Sequence, residues 1–134
     1  MPANKTQGHV LHPELSYILN GTVFNAHNEL GPYAREKQYG GCLERKLKER
    51  NIRFVRELRI GESGNIIDFL VEGKIAVELK AKRSLTSEDY RQIQNYLQAS
   101  GVELGLLVNF RQTAVKPIRV LRLSRTAQKR RDSV

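Results

Sequence analysis

Apolar residues recur along this chain in patterns that predict three helices. They return every three or four positions from Glu14 to Leu30 and again from about Ala34 to Arg50, as is typical of amphipathic helices. Gly31-Pro32 ends the first of these, because glycine suits a helix C-terminus and proline cannot continue a helix. A third helix is predicted from a Ser87 cap to about Ser100, with Gly101 closing it.

Shorter apolar runs predict strands at residues 54–60, 66–71, 74–81, 104–110 and 118–123. Glu72-Gly73 predicts a two-residue hairpin turn, and the last run alternates with arginines like an edge strand. The order α-α-β-β-β-α-β-β predicts a mixed α/β fold, with a central mixed sheet of about five strands flanked by helices. We expect a flexible arm at 1–12, one domain at 13–123 and a basic tail at 124–134.

The amino-acid composition indicates a class of binding partner. Lys and Arg outnumber Asp and Glu by 23 to 14, which gives a net charge of +9. Such an excess favours nucleic acid, because counterions released from the polyanion drive binding, although a merely solvated basic surface is the alternative. No apolar run reaches the roughly 20 residues of a membrane helix, and no signal peptide is evident. Cys42, the single cysteine, excludes an internal disulfide, so a cytoplasmic setting is expected.

Acidic residues interrupt two of the apolar strands. Asp68 is predicted to share a face with Ile66 and Leu70. Glu78 and Lys80 are predicted to share a face with Ala76, and the other apolar residues of that strand, Ile75, Val77 and Leu79, point the other way. Both strands are expected to be covered on both sides, where a lone carboxylate is costly unless it is paired or binds a metal.

The hairpin turn determines how these side chains meet. A two-residue turn places Asp68 opposite Val77 and diagonal to Glu78, so a bend or bulge would bring the carboxylates together. Two such carboxylates suit Mg²⁺ or Mn²⁺, and Lys80 would orient a water or stabilise a phosphorane. The alternative is an exposed strand end, with Asp68 capping a turn.

The sequence resembles the PD-(D/E)xK nuclease superfamily and, within it, the bacterial GxxExxY family. The stretches that carry the resemblance are LGPYAREKQY (30–39), IIDFLVEGKIAVELKA (66–81), QIQNYLQASG (92–101) and GLLVNF (105–110). The resemblance implies a restriction-endonuclease-like fold and metal-dependent hydrolysis of phosphodiester bonds in nucleic acid, with DNA as the expected substrate.

The resemblance also implies roles for individual residues. Asp68 and Glu78 would ligate the metal with the backbone carbonyl of Leu79, and Lys80 would be the catalytic lysine. Glu36 would be a further acidic residue of the site, binding metal directly or through water.

Two further residues match a Q-x₃-Y element known from RecB-like relatives. Gln92 and Tyr96 lie four residues apart on one helix face, where they would line the site and position the substrate. One departure concerns position 33, where the family has Gly and this chain has Tyr33. Tyr39 matches the family pattern, but a helix-packing role explains it better.

The remaining candidates are basic residues that would hold the nucleic-acid backbone without reading bases, among them Arg56, Arg59, Lys82 and Arg83. The histidines form no ligand pattern, and His27 is predicted on the polar side of its helix. A binding module that keeps the fold without useful turnover is the main alternative to a nuclease, followed by a structural or protein-interaction role. The chain is as small as junction resolvases of this fold, which act as dimers, so a homodimer is one expectation.

Overall fold

The computed structural model describes residues 11–60 and 65–124, without the side chains of residues 60 and 65. Most of the predicted arm, the turn at 61–64 and the tail from 125 lie outside the described residues. The predicted helices and strands are confirmed in type and order: α1 Pro13–Leu30, α2 Glu36–Glu49, β1 Phe54–Ile60, β2 Asn65–Val71, β3 Ile75–Lys80, α3 Ser87–Ser100, β4 Leu104–Asn109 and β5 Ile118–Leu121.

Local hydrogen bonds fix where the helices begin and end. Gly31 ends α1 at φ 77°, and its N–H donates to the carbonyl of His27. The helix α2 begins at Glu36, later than predicted, because Arg35 is extended and its N–H donates to the side chain of Gln38. The prediction of Ser87 as the cap of α3 is wrong, since the extended residue before the helix is Thr86.

All five described strands form one mixed sheet in the order β1-β2-β3-β4-β5. Neighbouring strands are antiparallel except β3 and β4, which are parallel and joined through α3. The strands that carry the acidic residues, β2 and β3, are therefore internal, as predicted. Within the described part of the chain, no helix has the length and apolar character that a membrane crossing requires.

The two faces of the sheet are covered by different helices. On one face, Ile75, Val77 and Leu79 of β3 join a large buried cluster with side chains of α1 and α2. On the other face, Ala76 belongs to a smaller cluster under α3. This division confirms the predicted alternation along β3, which directs Glu78 and Lys80 toward the α3 side.

Close approach of α3 to the sheet depends on a glycine in β4. A Cβ atom added to Gly105 would lie 2.7 Å from Cδ1 of Ile93, which is closer than real side chains pack. Because glycine has no side chain, Ile93 can pack directly on the sheet, beside the two strands that carry the acidic residues.

One histidine lies elsewhere than predicted. His27 is buried, not on a polar face, because its Nε2–H donates to the carbonyl of Gln112 at 2.7 Å and its ring packs near Phe110. The backbone acceptor lies 85 residues away along the chain, so helical periodicity alone does not reveal it.

Candidate active site

Asp68 and Glu78 come together where β2 and β3 stop pairing. The predicted hairpin register is wrong by one residue: Val71 pairs with Ile75, not with Lys74. The last pair is Phe69 with Val77, so continuing this register places Asp68 opposite Glu78. The carboxylates therefore face each other across a gap in the strand pairing, rather than along a diagonal.

The face alternation predicted for β2 is also wrong at Asp68. Ile67 packs under α3, whereas Phe69 packs under α1 and α2, although regular alternation would put these two residues on one face. On the neighbouring strand, Glu57 has a positive φ of 52°, and no pair joins it to Asp68. This distortion frees the Asp68 side chain to lie between the strands instead of above or below them.

Backbone amides at the gap are satisfied by the two carboxylates. The N–H of Leu79 donates to Oδ2 of Asp68 at 2.7 Å, and the N–H of Asp68 donates to Oε1 of Glu78 at 3.3 Å. A residue in a strand directs its N–H and C=O toward the same neighbouring strand. The carbonyl of Leu79 therefore faces β2, on the side where Asp68 lies.

Both carboxylates are held in an environment that disfavours their charge. Burial is the main reason that the pKa of Asp68 is raised above its usual value. Burial and the neighbouring charge of Asp68 together raise the pKa of Glu78 to about 7. A divalent cation would relieve this repulsion, and carboxylate and carbonyl oxygens suit Mg²⁺ or Mn²⁺. Among the described residues, no three His, Cys, Asp or Glu side chains are grouped to hold a metal. The candidate donors here are therefore two carboxylates and a backbone carbonyl.

Lys80 lies on the same face as Glu78, one pleat further along β3. Its Nζ is 3.5 Å from Oε2 of Glu78 and 3.6 Å from Oδ1 of Asp89, and it donates to Oε1 of Gln92 at 3.2 Å. Three oxygen acceptors thus surround the three donors of one ammonium group. The lysine has a defined position beside the carboxylate pair, with 16% of its side chain exposed.

Asp89 is a site residue that the sequence analysis missed. It is buried in the first turn of α3, where it accepts hydrogen bonds from the N–H and hydroxyl of Thr86 and from Nζ of Lys82. Burial alone would raise the pKa of Asp89, but these hydrogen bonds and the charges of Lys80 and Lys82 hold that pKa below its usual value. The Thr86-x-x-Asp89 spacing is a sequence signature of a capping box and could have predicted the helix start. The contact of Asp89 with Lys80 could not be predicted from the sequence, because it depends on how α3 packs on the sheet.

Asn109 is a second missed residue, at the end of β4. Its Oδ1 accepts the N–H of Lys82 at 3.0 Å, and its Nδ2 donates to the carbonyl of Lys82 at 2.8 Å. The buried amide thus imitates a strand neighbour and fixes the segment that follows Lys80. An asparagine at the end of an apolar run gives no sequence signal for this role.

The other predicted site residues differ in their contacts with this centre. Glu36 is the first residue of α2 and is exposed, and within residues 11–60 and 65–124 its side chain makes no hydrogen bond or ion pair. Gln92 contacts Lys80, as given above. Tyr96 belongs to α3, and its side chain is buried between that helix and the sheet. Its hydroxyl has no hydrogen-bond partner among the described groups, and burial raises the pKa of that hydroxyl.

The four predicted basic contacts divide into two classes. Arg56 is bound to Glu44 at 2.8 Å and stacks over the ring of Phe69, and Lys82 is bound to Asp89. Arg59 and Arg83 are exposed, and neither has an ion-pair partner within the described part of the chain. These two arginines are therefore freer to contact a phosphate than the other two.

Comparison with known proteins identifies the superfamily of this chain. Residues 13–121 match the model of the PD-(D/E)XK nuclease superfamily. The chain therefore belongs to that superfamily. Its five-stranded mixed sheet with flanking helices is a restriction-endonuclease-like fold.

A solved structure gives independent support for the fold. The crystal structure of SSO0001 matches with a TM-score of 0.51 and 21% sequence identity over 70% of this chain. The matched region is 53% of SSO0001, so this chain spans about half the length of that protein. The sequence has no significant match among curated proteins.

Proposed function

We propose that this protein is a divalent-metal-dependent nuclease that hydrolyses phosphodiester bonds, with DNA as the expected substrate. The observation that carries the proposal is the facing pair Asp68 and Glu78, held at the gap between two internal strands with Lys80 beside it. Two partly buried carboxylates of raised pKa are costly to keep in a structural role, whereas a cation-binding role explains their placement.

Each side chain has a distinct task in the proposed reaction. Asp68, Glu78 and the Leu79 carbonyl would hold the metal, and Glu36 would join them directly or through water. The bound cation supplies Lewis-acid activation of water and phosphate. Lys80 places a positive charge beside the carboxylates, where charge develops on the phosphoryl oxygens.

Two residues of α3 complete the proposed site. Gln92 orients the Lys80 ammonium, with its side-chain oxygen as the acceptor at 3.2 Å. Tyr96 is the tyrosine of the Q-x₃-Y element, and we assign its hydroxyl to positioning the substrate.

Charge supports nucleic acid as the substrate. The net charge of +9 favours polyanions, and Arg59 and Arg83 are exposed for backbone contacts, with Arg56 and Lys82 as further contributors. Within the superfamily we assign the chain to the bacterial GxxExxY family on the positions of Glu36 and Tyr39, despite Tyr33. A cytoplasmic location and a homodimer complete this proposal.

Cleavage assays with matched variants test the proposed function. Purified protein is incubated with single-stranded, duplex and branched DNA and with RNA, each with Mg²⁺, Mn²⁺ or EDTA. We expect metal-dependent cleavage that falls at least about 100-fold in Asp68→Asn and in Lys80→Ala. Lys74→Ala is the matched control, because this exposed lysine precedes β3 at the opposite end from Lys80.

The same experiment separates the nuclease from its main alternative. Equal cleavage by Asp68→Asn and the wild type would mean that a contaminant or another site is responsible. Salt-sensitive binding without cleavage under any metal condition would instead indicate a nucleic-acid-binding module. Calorimetric titration with Mn²⁺ gives a second measure, since a degenerate site should bind the ion weakly.

A further inference from the structure

An exposed aromatic ring and an arginine lie together just beyond the end of β4, the strand that pairs with the Lys80 strand. Tyr33, in the loop between α1 and α2, is 81% exposed. The guanidinium carbon of Arg111 lies 5.7 Å from its ring centroid, within the range of a cation–π contact. Together with Pro32, Gln112 and Thr113 they line a cleft of about 180 Å³. We call Tyr33 and Arg111 the surface pair.

Buried groups hold the two segments that carry the surface pair. The hydroxyl of Tyr39 donates to the carbonyl of Gly31 and accepts the N–H of Ala34, so it spans the loop that presents Tyr33. The ring of Tyr39 stacks on Phe110 with centroids 3.9 Å apart and an interplanar angle of 8°. His27 adds a hydrogen bond to the carbonyl of Gln112. These contacts fix the loop and the Arg111 segment relative to each other, which lowers the entropy cost of binding a ligand there.

Hydrogen bonds also connect the surface pair to the catalytic strand. The N–H of Phe110 donates to the carbonyl of Lys80 at 2.9 Å. The next N–H, of Arg111, donates to Oδ1 of Asn109, the amide that also clamps the backbone of Lys82. Arg111 therefore follows directly from the end of β4 that lies beside Lys80.

We propose that the surface pair binds an unpaired nucleobase of the substrate, next to the strand segment that enters the active site. The Tyr33 ring offers a face on which any base can stack, and the Arg111 charge holds the adjacent phosphate. A base inside a duplex cannot reach this ring without leaving its stack, so the subsite selects single-stranded or branched substrates. The identity of the ligand rests on the proposed function.

Binding measured without cleavage tests this inference. Fluorescence anisotropy in EDTA follows a labelled oligo(dT), an oligo(U) of equal length and a blunt duplex. We expect Tyr33→Ala to weaken oligo(dT) binding about tenfold or more, with duplex binding unchanged. Tyr33→Phe keeps the stacking face and should bind within about twofold of the wild type. Arg111→Ala should weaken binding and reduce its salt dependence by about one counterion.

Tyr17 provides the matched control. It is also 81% exposed but lies on the outer face of α1, so Tyr17→Ala should leave oligo(dT) binding unchanged. Wild-type affinity in Tyr33→Ala overturns the inference, and so does an equal loss for duplex and single strand or failure of the wild type to bind oligo(dT). A weaker affinity for oligo(U) with the same Tyr33 dependence supports the subsite and assigns it to DNA.

Turnover decides the proposed function separately from this subsite. Tyr33-dependent binding by a protein that cuts nothing supports the subsite and contradicts the nuclease. Metal-dependent cleavage, together with a Tyr33→Ala variant that binds oligo(dT) as tightly as the wild type, supports the nuclease and contradicts the subsite.

Discussion

The two faces of the sheet are built for different purposes. The face under α1 and α2 is a continuous apolar cluster in which the side chains of three neighbouring strands interlock, for example Val77 and Leu106. The face under α3 has a smaller apolar cluster, and beside it lie Glu78, Lys80 and Asp89. Both faces belong to the same strands, so one set of backbones supports a dry core and a charged site at once.

The comparison shows how a small protein keeps charges half-buried without unfolding. The apolar face contributes most of the stabilising burial, at roughly 25 cal/mol for each Å² of apolar surface removed from water. The α3 face keeps a pair of carboxylates with raised pKa values, which opposes folding in the absence of a cation. The larger apolar cluster thus lies on one face and the proposed active site on the other, and substitutions should separate their effects.

The largest effect on stability is expected from the apolar face. Leu43 of α2 is fully buried, so Leu43→Ala should lower the free energy of unfolding by about 2–5 kcal/mol through lost transfer energy and a cavity. Asp68→Asn, the activity variant described above, should leave that free energy unchanged or higher because it removes a partly buried charge. Urea unfolding of both variants measures the contrast, and equal destabilisation would contradict the division between faces.

A pH effect is expected from Glu78 in the metal-free protein. Its pKa of about 7 in the folded protein exceeds the ordinary value of 4.5, so the folded state binds more protons than the unfolded state between these values. This contribution is fully present below about pH 4.5 and is lost as pH rises through 7, by up to about 3 kcal/mol. Melting temperatures in EDTA from pH 5 to 8 should fall for the wild type.

The matched variant isolates this pH effect to one carboxylate. Glu78→Gln cannot ionise, so its melting temperature should decline less over the same range. Added Mg²⁺ should stabilise the wild type more at pH 8 than at pH 5, because the ion binds the deprotonated pair. Parallel melting curves for the wild type and Glu78→Gln would show that Glu78 does not carry the effect.

A smaller effect is expected from Asp89, a positioning residue that acts through Lys80. Asp89→Asn removes the charge 3.6 Å from the Lys80 Nζ, and we expect about a tenfold fall in kcat with little change in KM. Asp89→Glu should restore part of the rate, because it returns the charge. Thr86→Ala removes a hydroxyl whose side-chain contact, among the residues that the structure describes, is with Asp89, so it controls for loss of the helix cap.

The smallest effect is expected from Tyr96. Its hydroxyl is buried without a partner among the described residues, so Tyr96→Phe should stabilise the protein slightly, by about 1 kcal/mol. If the hydroxyl positions substrate as proposed, cleavage should fall while stability rises. Unchanged cleavage would mean that Tyr96 only packs against its neighbours between α3 and the sheet. Thermal melting measures the expected gain in stability.

The sequence by itself determined the kinds of helices and strands and their order. Apolar spacing located α1 and α3 to within a residue, because burial on one side forces a periodic pattern. The same logic made Glu78 conspicuous, since it interrupts an apolar strand. The mixed sheet followed from the order of these segments, because a helix between two strands favours a parallel crossover.

Only the tertiary structure decided how the site is put together. The loop at 72–74 sets a register one residue away from the predicted one, and a local distortion at Asp68 breaks the face alternation. Asp89 and Asn109 both contact Lys82, although they lie seven and 27 residues from it along the chain. No short-range sequence pattern predicts these contacts. Hydrophobic periodicity records which side of a segment is buried, whereas the meeting of two polar groups depends on register, twist and the seating of α3.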